Sequence, residues 1–316
     1  MQKYRSLVLP IAIVLGLIFH SWCAHLMSIV PYVIFSILLF NFAAVDFRKL
    51  RLSWLDFWLM LFQMVVSVGG YAVMKVLGIS EIVAESVLIG VLCPVASSVA
   101  VIACMLGANR ETVTTYLIVG NLMVALVAPI VFSFVGVQQN MSFFDSFLLI
   151  INKIAPVIAL PFLVALFCQC CCAPVARFLS RYKIASFYLW AFALFVVLGR
   201  TIDFMISHWL AHWQIILWIG GGSILMCVVQ FAFGKWLGKK YGDTIAGGQL
   251  LGQKNTAIGI WMANTYLHPL ASVSLALYSI WQNVFNSYQL YRAKDVERRC
   301  FFENEKNCGR EFYQEK

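Results

Sequence analysis

Charge is scarce in this chain: Asp, Glu, Lys and Arg make up 12% of its 316 residues, against about a quarter in soluble domains. A soluble enzyme and a disordered chain are both excluded by that shortage. Acidic residues are the scarcer sign, 14 against 23 basic ones, which leaves a formal net charge of +9. No Pro-, Gly- or Ser-rich linker divides the sequence, so one membrane domain over 1–291 and a polar, basic tail over 292–316 is the economical division. There are only 5 histidines. His20, His25, His208, His212 and His268 are spread too widely to form a catalytic cluster, and neither H-E-x-x-H nor G-x-S-x-G occurs, so no enzymatic activity and no metal site is expected.

What is abundant is apolar: 62% of the chain is hydrophobic. A membrane span needs about 20 apolar residues, and the runs fall at approximately 6–26, 27–45, 54–78, 82–107, 112–136, 143–172, 184–202, 213–234, 244–267 and 269–291. The sequence therefore predicts an all-α polytopic membrane protein of ten helices. The first run lacks a small-x-small cleavage site and is expected to stay as a span.

Lys and Arg sit between the apolar runs rather than on one face, which disfavours nucleic-acid binding. Alternate loops hold Lys3 and Arg5, then Arg48, Lys49 and Arg51, Arg110, Arg177, Arg181 and Lys183, Lys235, Lys239 and Lys240, and the tail. The opposite loops hold little beyond Lys75 and Arg200. Basic loops stay in the cytoplasm, so both termini are expected inside, in a bacterial inner membrane. Cys300 and Cys308 would then lie in a reducing compartment where a disulfide is not expected. The run Cys168-Gln169-Cys170-Cys171-Cys172 suits interfacial or acylated thiols better than a metal, because adjacent cysteines point to different sides of a helix.

The fourth and ninth runs carry breaks. Gly90-Val91-Leu92-Cys93-Pro94-Val95-Ala96-Ser97-Ser98 places a proline ahead of two hydroxyls. Gly247-Gly248-Gln249-Leu250-Leu251-Gly252-Gln253-Lys254-Asn255-Thr256 brings three glycines and a cluster of polar side chains to bilayer depth. Backbone groups freed there are tolerated only where protein or a wet cavity satisfies them. The breaks lie five helices apart, as expected if 1–137 repeats as 142–291. An odd number of spans per repeat inverts the second copy, and paired broken helices in inverted repeats point to a transporter's solute site. Ordinary kinks are the alternative. Lys254, about ten residues from either end of its run, is too deep to snorkel and should face an interior polar cavity. Other polar residues at depth are Gln63, Asn121, Asn152, Lys153, Gln282 and Asn283. Asp145 is a candidate partner for Lys153. Glu81 and Glu85 lie one turn apart near the start of the fourth run, where they would either draw cations to an entrance or simply be solvated.

Gly252-Gln253-Lys254-Asn255-Thr256-Ala257, followed by Leu277-Tyr278-Ser279-Ile280-Trp281-Gln282-Asn283, resembles the motifs of bile acid:sodium symporters. Cys93-Pro94 with Ser97-Ser98, Gly107-Ala108-Asn109 and Ala128-Pro129 resembles that family's fourth and fifth spans. The resemblance implies two inverted five-helix repeats arranged as core and panel bundles, helices four and nine crossing at their breaks, and a small organic anion bound between the bundles. It matches Gln63, Ser97, Ser98, Asn255 and Asn283 to family site residues; the site expected here is Ser97, Ser98, Asn255, Thr256 and Asn283 at the solute, with Lys254, Gln253, Gln63 and Asn121 at the ion site or in coupling. It departs from the family pattern at three positions: Val99 replaces an asparagine, Leu250 the sodium-binding acid, and Lys254 a glutamine. No cofactor is expected. Sodium, a hard cation held by oxygens, loses two donors and its one anionic ligand.

Lys254 is therefore expected to stand in for a sodium ion as a tethered cation, or, by releasing its proton, to couple transport to protons. The open alternatives are a sodium-coupled symporter using Gln253 or Gln249, and a non-transporting receptor or sensor on the same fold.

Overall fold

The computed structural model describes residues 11, 12, 14–45, 47, 50–135, 142–181 and 183–314, without the side chains of 183, 184, 208–212 and 294–314. Lys3, Arg5, Arg48 and Lys49, and the side chains of Lys183, His208, His212, Cys300 and Cys308, are outside that description.

Helices dominate, with no named strand among the described residues. In chain order they are α1 (His20–Leu26), a 3-10 turn (Met27–Ile29), α2 (Val30–Ala43), α3 (Trp54–Val76), α4 (Glu81–Leu92), α5 (Val99–Met105), α6 (Arg110–Val135), α7 (Phe143–Cys171), α8 (Ala173–Arg181), α9 (Lys183–Lys240), α10 (Thr244–Gly252), α11 (Thr256–Tyr266), a second 3-10 turn (Pro269–Ala271) and α12 (Ser272–Gln314). Six stretches among the described residues are long and apolar enough to cross a membrane. The chain is an all-α integral membrane protein.

The first boundary agrees with the sequence expectation and a later one differs. The first two runs meet at the 3-10 turn with no loop between them, because backbone angles stay right-handed through Leu26, Ile29 and Val30. The seventh and eighth runs lie within the single helix α9, whose 58 residues contain the two candidate spans Ala185–Ser207 and Trp213–Lys240.

Helix starts follow local chemistry. Ser53 and Asp56 form a reciprocal capping box at α3, each side chain satisfying the other's amide. Ser142 caps α7 through the Asp145 amide. Asp243 caps α10 through the Ala246 amide. In the fourth run the helix stops at Leu92 because Pro94 disfavours helical backbone at the residue before it, and Cys93 is extended (φ −45°, ψ 134°).

In the ninth run the break is narrower than the glycines suggested. Gly247 and Gly248 lie inside an intact α10, and the helix yields only after Gly252. These glycines serve packing instead: the backbones of Gly234 and Gly238 on α9 lie directly against those of Gly247 and Asp243, leaving no room for a Cβ. Small residues allow that approach in a membrane. The largest buried cluster joins α2, α4, α6, α7, the first part of α9, and α11.

Candidate functional site

The two interrupted segments meet. Val95 and Lys254 form an isolated antiparallel bridge, with the Ala96 amide donating to the Gln253 carbonyl at 3.1 Å and the Asn255 amide to the Pro94 carbonyl at 2.7 Å. Each segment thus satisfies backbone groups that the other freed.

The carbonyls at the end of α4 have no partners within their own helix beyond the Cys93 amide on Ile89, and each finds one outside it. Gly90 accepts from Gln230 Nε2 at 3.4 Å. Val91 accepts from Lys254 Nζ at 2.8 Å. Leu92 and Cys93 both accept from Gln63 Nε2, at 2.9 and 3.0 Å. The positive group therefore sits at the negative end of the α4 dipole, a favourable placement of up to about 2 kcal/mol in partly buried settings.

Lys254 is 1% exposed, and no ion pair among the described residues includes it. Its backbone is held by Gln282, whose Oε1 accepts from the Lys254 amide at 2.8 Å and whose Nε2 donates to the Lys254 carbonyl at 3.2 Å. Tyr278 Oη donates to the Gly252 carbonyl at 2.8 Å, closing the end of α10.

The sequence-chosen residues divide. Gln63, Gln253, Lys254 and Asn255 lie at the crossing. Asn255 caps α11, its Oδ1 accepting from the Ile258 amide, and Thr256 is the buried first residue of that helix. Ser98 Oγ donates to Gln253 Oε1 at 3.2 Å. Gln253 in turn donates to Gln249 Oε1, and Gln249 to Asn286 and Gln289. Ser97, half-buried, lies in the turn between the first break and α5, which the Val99 amide closes on the Ala96 carbonyl at 3.0 Å.

Asn121 and Asn283 do not join this network. Asn121 bonds back to Leu117 and Asn283 to Ser279, each a turn away on its own helix. Lys153 is exposed and forms no ion pair with Asp145, which bonds Ser142 instead. Glu81 pairs with Lys75 at 3.4 Å, whereas Glu85 is buried and accepts the His268 amide at 2.8 Å.

Val99 and Leu250 lie in one buried apolar cluster with Leu55, Leu59, Val95 and Leu117. Two positions where the resembled family carries oxygen ligands are here part of a hydrocarbon patch. Sequence reasoning did not single out Tyr116, whose hydroxyl donates to Gln63 Oε1 at 3.0 Å, nor Gln230. It noted Gln282 but chose its neighbour, and the helical phase that turns Gln282 inward is set by tertiary packing. A signal was present for Tyr278, which lies in the quoted stretch Leu277-Tyr278-Ser279, and not for Tyr116.

A cavity of about 860 Å³ opens between α1, α2, α7, α9 and α11. Its wall includes Trp261, Asn264 and Thr265 of α11, the half-helix that starts at the crossing, together with Lys153 and Arg200. Compared with models of known families and with curated proteins, the chain finds no match in either.

Proposed function

We propose that the chain is a secondary active transporter, not an enzyme, that moves a small organic anion across the bilayer by alternating access on the pattern of the bile acid:sodium symporters. Its ten spans form two inverted repeats, about 1–137 and 142–291, as core and panel bundles. Both termini are cytoplasmic, in an inner membrane, and nucleic acid is not a partner.

The observation that carries the proposal is the crossing of two broken helices around a buried ammonium. Unwound backbone at membrane depth is tolerated where it serves a site, and a plain structural bundle has no use for it. Three matched pairs of contacts support the inverted relation. The bridge hydrogen bonds are reciprocal. Gln63 pairs with Tyr116 beside the first break as Gln230 pairs with Tyr278 beside the second. Glu85 of α4 holds the amide of His268 after α11, as Asp243, the cap of α10, holds the amide of Asn109 after α5.

Lys254 takes the place of a coupling sodium. Its ammonium supplies a positive charge to the carbonyls that end α4, and a second cation 4 Å away would be repelled by about 4 kcal/mol at an effective dielectric near 20. With Val99 and Leu250 in an apolar cluster, the ligands for that cation are replaced by hydrocarbon. The solute then moves with protons or down its own gradient. One observation favours sodium coupling instead: the oxygens of Gln249, Gln253 and Ser98 lie together beside the crossing.

Saturable, gradient-driven accumulation of a labelled organic anion in proteoliposomes is the expected result. Binding without accumulation would replace the carrier by a receptor.

A further inference from the structure

The link between α7 and α9 is a short helix, α8, that the crossing does not use. α7 spans 29 residues, roughly 43 Å at 1.5 Å per residue, which exceeds a hydrocarbon core of about 30 Å and carries both of its ends into the headgroup layers. Its last turn is fixed beside the end of α2: Gln169 Nε2 donates to the Val45 carbonyl at 2.6 Å and to those of Phe42 and Ala43 at 3.4 Å. The chain leaves the helical path at Cys172 (φ −134°, ψ 57°). α8 begins at the next residue and packs on α2, α7 and α9.

α8 has three faces. Ala176 is buried and Leu179 packs against the largest apolar cluster, which makes the inner face. Val175 and Phe178, three residues apart, are 46% and 58% exposed. Arg177 and Arg181, four residues apart, are exposed on the third face, where side chains at that spacing are neighbours. Neither arginine takes part in an ion pair among the described residues. The sequence holds no Asp or Glu between Asp145 and Asp203, and at 1.5 Å per residue these two lie about 30 Å or more from α8 along α7 and α9. No acid on the helices that carry α8 therefore offsets its charge.

A soluble anion would meet the arginines alone. The apolar pair adds a second requirement, because it continues the outer side of α7, where Leu163 and Phe167 are exposed. Tyr188, exposed in the second turn of α9, belongs to the residue types that mark the membrane–water boundary. Helices with one apolar and one basic outer face lie in that boundary.

We propose that α8 is an anionic-phospholipid site: Val175 and Phe178 sit against the acyl chains while Arg177 and Arg181 hold the headgroup phosphate, clamping α7 and α9 to one leaflet. Guanidinium groups suit a phosphate because each presents paired donors to its oxygens. Such a clamp is independent of transport and of the solute.

The test uses purified full-length protein reconstituted in equal parts of phosphatidylglycerol and phosphatidylcholine and extracted in mild detergent, with the retained lipid counted by native mass spectrometry. Two basic residues at an anionic surface support a preference of about tenfold, and wild type is expected to keep phosphatidylglycerol over phosphatidylcholine by about that factor. Arg177→Gln with Arg181→Gln should bring the two lipids to parity, and Arg177→Lys with Arg181→Lys should keep part of the preference. Val175→Ser with Phe178→Ser should lower retention of both lipids. Lys239→Gln with Lys240→Gln removes the same charge from the exposed end of α9 and should leave the preference unchanged. Lipid-free melting of each variant reports whether it folds.

Parity in wild type would overturn the proposal. So would an undiminished preference without the two arginines, full retention without the apolar pair, or an equal loss in the paired lysine variant. Millimolar inorganic phosphate supplies the last arm: the lipid should stay bound, and its displacement from wild type would make this a site for a soluble anion and overturn the phospholipid assignment.

Discussion

Gln282 and Asn283 are neighbours on α12, and replacing each with leucine separates a residue that holds the crossing from one that does not. Gln282 Oε1 is the acceptor for the Lys254 amide at 2.8 Å, and its Nε2 donates to the Lys254 carbonyl at 3.2 Å. Leucine fills a similar volume and offers neither bond. The carbonyl keeps the Thr256 amide at 3.0 Å, whereas the Lys254 amide is left buried without an acceptor. An orphaned buried donor costs about 1–3 kcal/mol and a lost second hydrogen bond about 1 kcal/mol, so Gln282→Leu is expected to destabilise by about 2–4 kcal/mol. Asn283 Nδ2 donates at 2.6 Å to the carbonyl of Ser279 one turn earlier, a group already in the helix ladder, and Asn283→Leu should cost less than about 1 kcal/mol. Thermal unfolding of the purified variants in detergent provides the comparison. Since about 1 kcal/mol shifts the midpoint by about 2–4 °C in a sizeable domain, Gln282→Leu should melt about 5 °C or more below wild type and Asn283→Leu within about 3 °C. Equal losses, or the reverse order, would refute the placement of Gln282 at the break.

Other perturbations test the surroundings. Gln63→Leu removes the donor to both Leu92 and Cys93 and should destabilise more than Gln230→Leu, whose contacts are longer at 3.3 and 3.4 Å, by about 1 kcal/mol or more in the same melting assay. Gly259→Ala would put a Cβ 2.5 Å from Leu275 Cδ1 and 2.6 Å from Cys93 Sγ, and the overpacking should cost about 1–3 kcal/mol, seen as a lower midpoint. Asp243→Ala strips the cap of α10 and the acceptor for Asn109 and should cost about 1–2 kcal/mol, with Asp243→Asn losing less. Maleimide labelling of the folded protein should modify exposed Cys170 and Cys171 rapidly and buried Cys93 and Cys227 only on unfolding.

The membrane character and the two breaks were legible in the sequence because apolar length and a proline ahead of hydroxyls act locally. Lys254 facing inward followed from the cost of its charge in lipid. The roles of Gly247 and Gly248 were not legible: a glycine that loosens a helix and one that admits a neighbouring backbone are the same residue, and only the nearness of Gly234 and Gly238 tells them apart. Choosing Gln282 over Asn283 needed the phase of α12 about its axis, which packing sets. Lys153 is polar at depth in the sequence, but its candidate partner Asp145 bonds Ser142 at the start of α7 instead, and the cavity that Lys153 lines is built from helices of both halves of the chain.

The most direct measurement compares initial uptake of one labelled organic anion into proteoliposomes under an inward sodium gradient and under an equal gradient of an inert cation, for wild type and for Lys254→Gln. With an ammonium in the coupling-ion position, wild type should accumulate the anion at the same rate in both, and Lys254→Gln should lose that uptake or come to depend on sodium. Uptake by wild type that rises severalfold with sodium would contradict it.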